Sequence, residues 1–185
     1  MSWDDTKIIT AGTVKTLTNF DANVEDRKLE PSIYDAQHDL KQTLGETLYG
    51  QIEDADPVND ATLDGNTALA TLYNSYAKKF LAWKTIAHAY MDLMAGATRN
   101  GVFVKQGDQY APVDGKTLSA LQGKADARAE ARRGELIRYV ESLADTNAIR
   151  VAYETDVNYE PRSKEVKNTG RIITRVSYWQ NPDRQ

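Results

Sequence analysis

From about Thr67 to Ala95 the chain keeps a helical period without interruption. Leu69, Leu72, Tyr73, Tyr76, Phe80, Trp83, Ala87, Tyr90 and Met94 recur every three or four residues and so share one face of a helix. Leu81, Ile86, Met91 and Leu93 widen the apolar arc. Such a helix spans about 40 Å. An arc this wide requires burial on more than one side, by the rest of the fold or by a neighbouring subunit.

The rest of the chain must therefore supply partners for a long, broadly apolar rod. With 185 residues there is material for one ordinary core with extensions. Charged residues at 27% and hydrophobic ones at 41% describe a globular chain rather than a disordered one. A second amphipathic stretch, "SIYDAQHDLKQTLGETLYGQI", places Ile33, Ala36, Leu40, Leu44, Leu48 and Ile52 on one stripe. Pro31 suits a first helical turn, so this helix is expected to run from there to Ile52. A third helix is marked by Leu118, Leu121, Ala125, Leu136, Tyr139, Val140 and Leu143, with Asp114 as its N-cap. Its "KADARAEARRGE" segment reads as a solvated face. Between the second and third helices, Asn100-Gly101 and Gly107-Asp108 flank the β-prone Val102-Phe103-Val104, which predicts a hairpin over residues 98–113.

The predicted architecture is mainly α: a bundle of three to four helices over residues 31–145, with a β-hairpin insertion. Residues 1–30 are read as an arm with a short strand at Lys7–Thr10, and residues 146–185 as an extended basic arm. From Pro161 to Gln185 the charge is near +4, against near −8 for everything before it. This tail has too few apolar residues for a core of its own and is expected to order only against something else.

Chemistry is thin. The absence of cysteine removes disulfides, thiol nucleophiles and thiolate-bound zinc. His38 reads as a surface residue and His88 as a packing or subunit-contact residue, with no local companion at ligand spacing. The acidic loop with Asp54, Asp56, Asp60, Asp64 and Gly65 departs from the spacing of a twelve-residue calcium loop. No G-x-S-x-G, Walker or G-x-G-x-x-G pattern is present. The sequence is read as that of a non-enzyme with no cofactor and no metal. It has no stretch approaching the roughly 20 apolar residues of a membrane span. It has no signal-peptide pattern at "MSWDDTKIIT" either, so the protein is expected to stay where it is made.

Two partner classes remain. The net charge of −4 argues against a dedicated nucleic-acid coat, although the basic tail, interleaved with Tyr178 and Trp179, could contact nucleic acid. A protein-docking strand is favoured, with Ile172, Thr174, Val176 and Tyr178 on one face and Arg171, Ile173, Arg175 and Ser177 on the other. In "LGETLY" a helix-weakening glycine, Gly45, follows a stripe leucine, and Tyr49 follows Gly45 by one turn. The expectation is that Gly45 lets the first helix approach the second, with Tyr49 filling the space beside it.

This arrangement resembles the head-to-tail connector (adaptor) proteins of tailed phages, and is most similar to those of phages infecting Bacteroidetes hosts, the crAss-like phages among them. The likeness covers about residues 7–145 and is carried by the opening strand, the "I..A...L...LG..LY..I" helix, a tyrosine-rich second helix, a "T..GV" hairpin segment and a third helix. The basic tail lies outside the shared pattern. The resemblance implies a virion neck protein, assembled in the host cytoplasm, of which typically about twelve copies form a ring. That ring would sit beneath the portal protein, join other neck or tail proteins, and continue the channel through which genomic DNA passes without sequence-specific binding. Subunit and partner contacts are then expected at Trp3, Ile8, Val102, Phe103, Val104, Tyr110, Ile172, Ile173, Val176, Tyr178 and Trp179. Channel or DNA contacts are expected at Arg128, Arg132 and Arg133. The alternative is a nucleic-acid-binding accessory protein that uses the basic C-terminal arm.

Overall fold

A computed structural model describes residues 7–20, 24–60, 62–63, 65–100, 103–106, 109–112 and 115–156, with side-chain surroundings for these except 93–112. Asp114 lies outside the described residues. The fold is mainly helical, with α1 (Ala11–Thr18), α2 (Asp26–Leu44), α3 (Glu46–Asp54), α4 (Thr67–Thr71), α5 (Lys78–Asn100), α6 (Gly115–Ser142) and α7 (Ala148–Asp156). A π-helical segment, Leu72–Ala77, joins α4 to α5. Between α5 and α6 the backbone forms β1 (Phe103–Gln106) and β2 (Gln109–Pro112), paired antiparallel with Phe103 opposite Pro112 and Gln106 opposite Gln109.

Much of the long rod is buried by its own chain, although Met91 is exposed and Trp83 and Tyr90 are half-buried. Phe80, Leu81, Ala82, Thr85, Ile86, Ala87 and Ala89 are all buried, because α1, α2 and α6 pack around α5. Within the charged stretch of α6, Ala125 and Ala129 are buried, small enough to let the two long helices approach closely. Trp83 lies beside Arg128, Lys84 beside Asp126, and Ala68 beside Tyr139, so α5 and α6 run antiparallel.

The N-terminal region departs from the expected strand and arm. Lys7–Thr10 is irregular rather than a strand, and Ile8 and Ile9 are both buried. Thr10 then caps α1 by accepting from the Thr13 N–H at 3.2 Å. Helix α2 starts at Asp26 rather than Pro31, its first residue tied to α1 through Lys15 at 2.6 Å. Pro31 occupies the second turn, where it forgoes one backbone bond to Arg27.

The predicted stripe is real: Ile33, Ala36, Leu40, Leu44, Leu48 and Ile52 are all buried. The continuous helix is not, for it breaks at Gly45 (φ 85°, ψ 164°), a conformation essentially restricted to glycine. The neighbour that comes close there is also different. It is Asp156, at the end of α7, rather than the second helix. The expected extended arm from residue 146 thus begins with a helix, held by buried Ile149, Ala152 and Tyr153. Arg150 fastens the turn before it, donating to the Leu143 carbonyl at 2.9 Å and pairing with Asp145 at 2.6 Å and Glu154 at 2.9 Å.

Candidate functional site

Three polar constellations arise where helices meet. The first is the α2–α3–α7 junction. The Asp156 carboxylate accepts from the Thr47 N–H at the open start of α3, where helices favour an anion. That hydrogen bond holds the Asp156 carboxyl below the usual aspartate range. Lys41 bridges the same break to Glu46 at 2.8 Å. Tyr49 is buried, and its hydroxyl accepts from Gln37 Nε2 at 3.2 Å. Gln37 Oε1 in turn accepts from the Ile8 N–H at 3.0 Å. Gly45 and Tyr49 therefore serve packing, through partners other than those expected.

The second constellation joins α2, α5 and α6. Asp39 Oδ2 lies 2.8 Å from His88 Nε2 and 3.7 Å from Lys84 Nζ, and Lys84 also reaches Asp126 at 3.3 Å. His88 thus has an acidic companion that no local spacing revealed, because Asp39 precedes it by 49 residues. A histidine oriented by a carboxylate is one half of an acid–base pair. Here the ring nitrogen meets the carboxylate of a charge network that clamps three helices. His38 is exposed and contacts Gln42 at 2.8 Å.

The third is a cavity of about 230 Å³ between the end of α1, α5 and α6. Phe20, Trp83 and Tyr90 wall it, and Phe20 meets Tyr90 edge-on with ring centres 5.8 Å apart. Lys124 and Arg128, one turn apart on α6, sit at its rim, and among the described residues no carboxylate lines it. The Arg128 guanidinium lies over the Trp83 ring at 4.4 Å.

The sites expected from sequence distribute unevenly over this framework. Ile8 is a core residue rather than a surface contact, and its carbonyl accepts from the Tyr73 hydroxyl. Arg132 is held by Glu135 at 2.8 and 2.7 Å, and Arg133 by Glu130 at 3.3 Å. The Arg132 hydrogen bond lowers the Glu135 carboxyl below its usual range. Of the three arginines, only Arg128 is left without an acidic partner among the described residues. Phe103, Val104 and Tyr110 fall on β1 and β2. Trp3, Val102, Ile172, Ile173, Val176, Tyr178 and Trp179 lie outside the described residues. In the acidic loop Asp60 caps its own turn, accepting from Thr62 at 2.8 and 2.7 Å. Among the described residues no group of three or more His, Asp or Glu could hold a metal ion, and no helix is long and apolar enough to cross a membrane.

The geometry defines an all-helical core with one short β-ladder between its two longest helices. Residues 40–150, from the last turn of α2 to the start of α7, match the DUF6712 family, and the chain belongs to that family, whose function is unknown. No curated protein and no solved structure matches the chain.

Proposed function

We propose that this protein is a structural subunit of a phage head-to-tail connector, forming a ring beneath the portal that joins capsid to tail and continues the DNA channel. The observation that supports this reading is the antiparallel pair α5–α6, bearing β1 and β2 between its ends. The base of the pair is packed against α1 and α2, and in this reading the ladder is an insertion that engages a neighbour. The polar clusters support a structural role too, because each joins helices: Asp39–Lys84–His88–Asp126 links α2, α5 and α6, and Asp156 links α7 to α3. In this reading the protein is not an enzyme and acts in the virion neck. Its partners are further copies of itself, the portal, and the neck or tail proteins below.

The test is the native mass of the purified chain, alone and mixed with its cognate portal, followed by imaging of any large species. Rings, or a complex that forms only with portal, are expected. A monomer indifferent to portal overturns the proposal. Salt-sensitive DNA binding by that monomer would then favour the nucleic-acid reading of the basic tail.

A further inference from the structure

We infer that the aromatic cavity between α1, α5 and α6 receives the acidic loop of a second copy of this chain, an inference that rests on the ring reading above. Two observations define the acceptor. Its walls are Phe20, Trp83 and Tyr90, and its rim carries Lys124 and Arg128, neither with an ion-pair partner among the described residues. An apolar floor beneath two cations that form no ion pair among the described residues calls for an anionic segment that also offers an apolar side chain.

The chain contains such a segment. Residues 53–65 hold Glu53, Asp54, Asp56, Asp60 and Asp64 with no Lys or Arg. At the tip of the loop Val58 is 39% exposed, a large apolar residue standing in water. The tip is also internally hydrogen-bonded: Asp56 (φ 43°) accepts from Asn59 Nδ2 at 2.7 Å, and its carbonyl accepts from the Asp60 N–H at 2.8 Å. A preformed loop loses little freedom on docking.

None of the described residues of the loop lines the cavity of its own chain. Ala68, just past the loop, packs against Tyr139, eleven residues along α6 from Arg128. At 1.5 Å per residue that separation is about 17 Å. Donor and acceptor are thus different patches on one molecule, which is the heterologous contact a closed ring requires.

Because the chain has no cysteine, the contact can be tested by a single designed pair. A full-length chain carrying Val58→Cys and Leu121→Cys, treated with a short bismaleimide, should yield a ladder of covalent multimers, whereas each single variant should not. Lys124→Glu with Arg128→Glu should raise the concentration needed for assembly by about tenfold or more, and adding Glu53→Lys with Asp54→Lys should restore it. Helical content and melting temperature of these surface variants serve as the folding control. If rings form but the double-cysteine chain gives no ladder, or the reversed-charge chain assembles normally, this contact is wrong and the ring reading stands. If no large species forms alone or with portal, the ring reading fails and takes the contact with it.

Discussion

Two interruptions in the helices of this protein have opposite origins. At Gly45 the break lies in the backbone: φ is 85°, and a Cβ there would meet the side chain of Asp156, with its Oδ2 at 3.1 Å and Cγ at 3.3 Å. At Leu72–Ala77 the backbone contains neither glycine nor proline, yet the helix widens into a π segment. There the side chains carry the constraint. The Tyr73 hydroxyl donates to the Ile8 carbonyl, Lys78 lies 5.5 Å from the Tyr73 ring, and Tyr76 stacks on Tyr139 with centres 4.7 Å apart. Tyr139 in turn donates to the Ala68 carbonyl at 3.2 Å. A backbone-driven break announces itself by residue type. One driven by side chains depends on partners far away in sequence.

The comparison can be broken most sharply at Gly45. Gly45→Leu is expected to destabilise the fold by about 3 kcal/mol or more, through the disallowed backbone and the collision with Asp156. Chemical denaturation of this variant decides the matter, because a cost under about 1 kcal/mol would mean that the break does not need glycine. In the π segment Tyr73→Phe should cost about 1–3 kcal/mol, since the buried Ile8 carbonyl loses its donor. Burial holds the Tyr73 phenol well above its ordinary value of 10.0. The unfolded chain therefore releases this proton first, and the stability of the native protein should fall as pH rises above about 10. The phenylalanine variant should lose this part of the alkaline dependence.

A smaller change of opposite sign is expected one element further on. Thr85 is fully buried, and its hydroxyl has no hydrogen-bond partner among the described residues. Thr85→Val should then raise stability by about 1 kcal/mol, as it removes an unsatisfied polar atom at constant shape. A decrease in melting temperature would show that the hydroxyl has a partner after all. The smallest effect is at Asp156→Ala. Its carboxyl is held below the ordinary aspartate range, so its contribution is complete above that range and is lost as pH falls through the lower native value. Denaturation curves of native and variant chains should differ at neutral pH and converge in strong acid. Equal separation at every pH would remove Asp156 from the cap.

The same contrast explains what the sequence could and could not reveal. Ile33, Leu40, Leu48, Phe80, Leu136 and Val140 obey a period set by burial on one face, and period is visible in a single chain. Helix α1, "AGTVKTLT", is rich in β-branched residues and depends on the Thr10 cap and on Val14 reaching the core, so local propensity pointed elsewhere. Helix α7 is short and charged, and its helicity rests on Ile149, Ala152 and Tyr153 finding the bundle. The Asp39–His88 pair and the Asp156 cap join residues 49 and 109 positions apart, distances over which spacing carries no signal. The aromatic cavity was half visible: Trp83 and Tyr90 belong to the predicted stripe, whereas Phe20 lay in a passage read as an arm and Lys124 and Arg128 in one read as a solvated face.

The cap on α3 has a consequence in time. Thr47 must wait for a carboxylate made 109 residues later. At synthesis rates of about 5–20 residues per second, the first turn of α3 stays open for roughly 5–20 s after it leaves the ribosome. During that interval the α2–α3 elbow has no α7 to set its angle. The joint that fixes the direction of the first half of the bundle is therefore closed by the last helix described, and a chain stalled before residue 156 would carry an elbow free to bend.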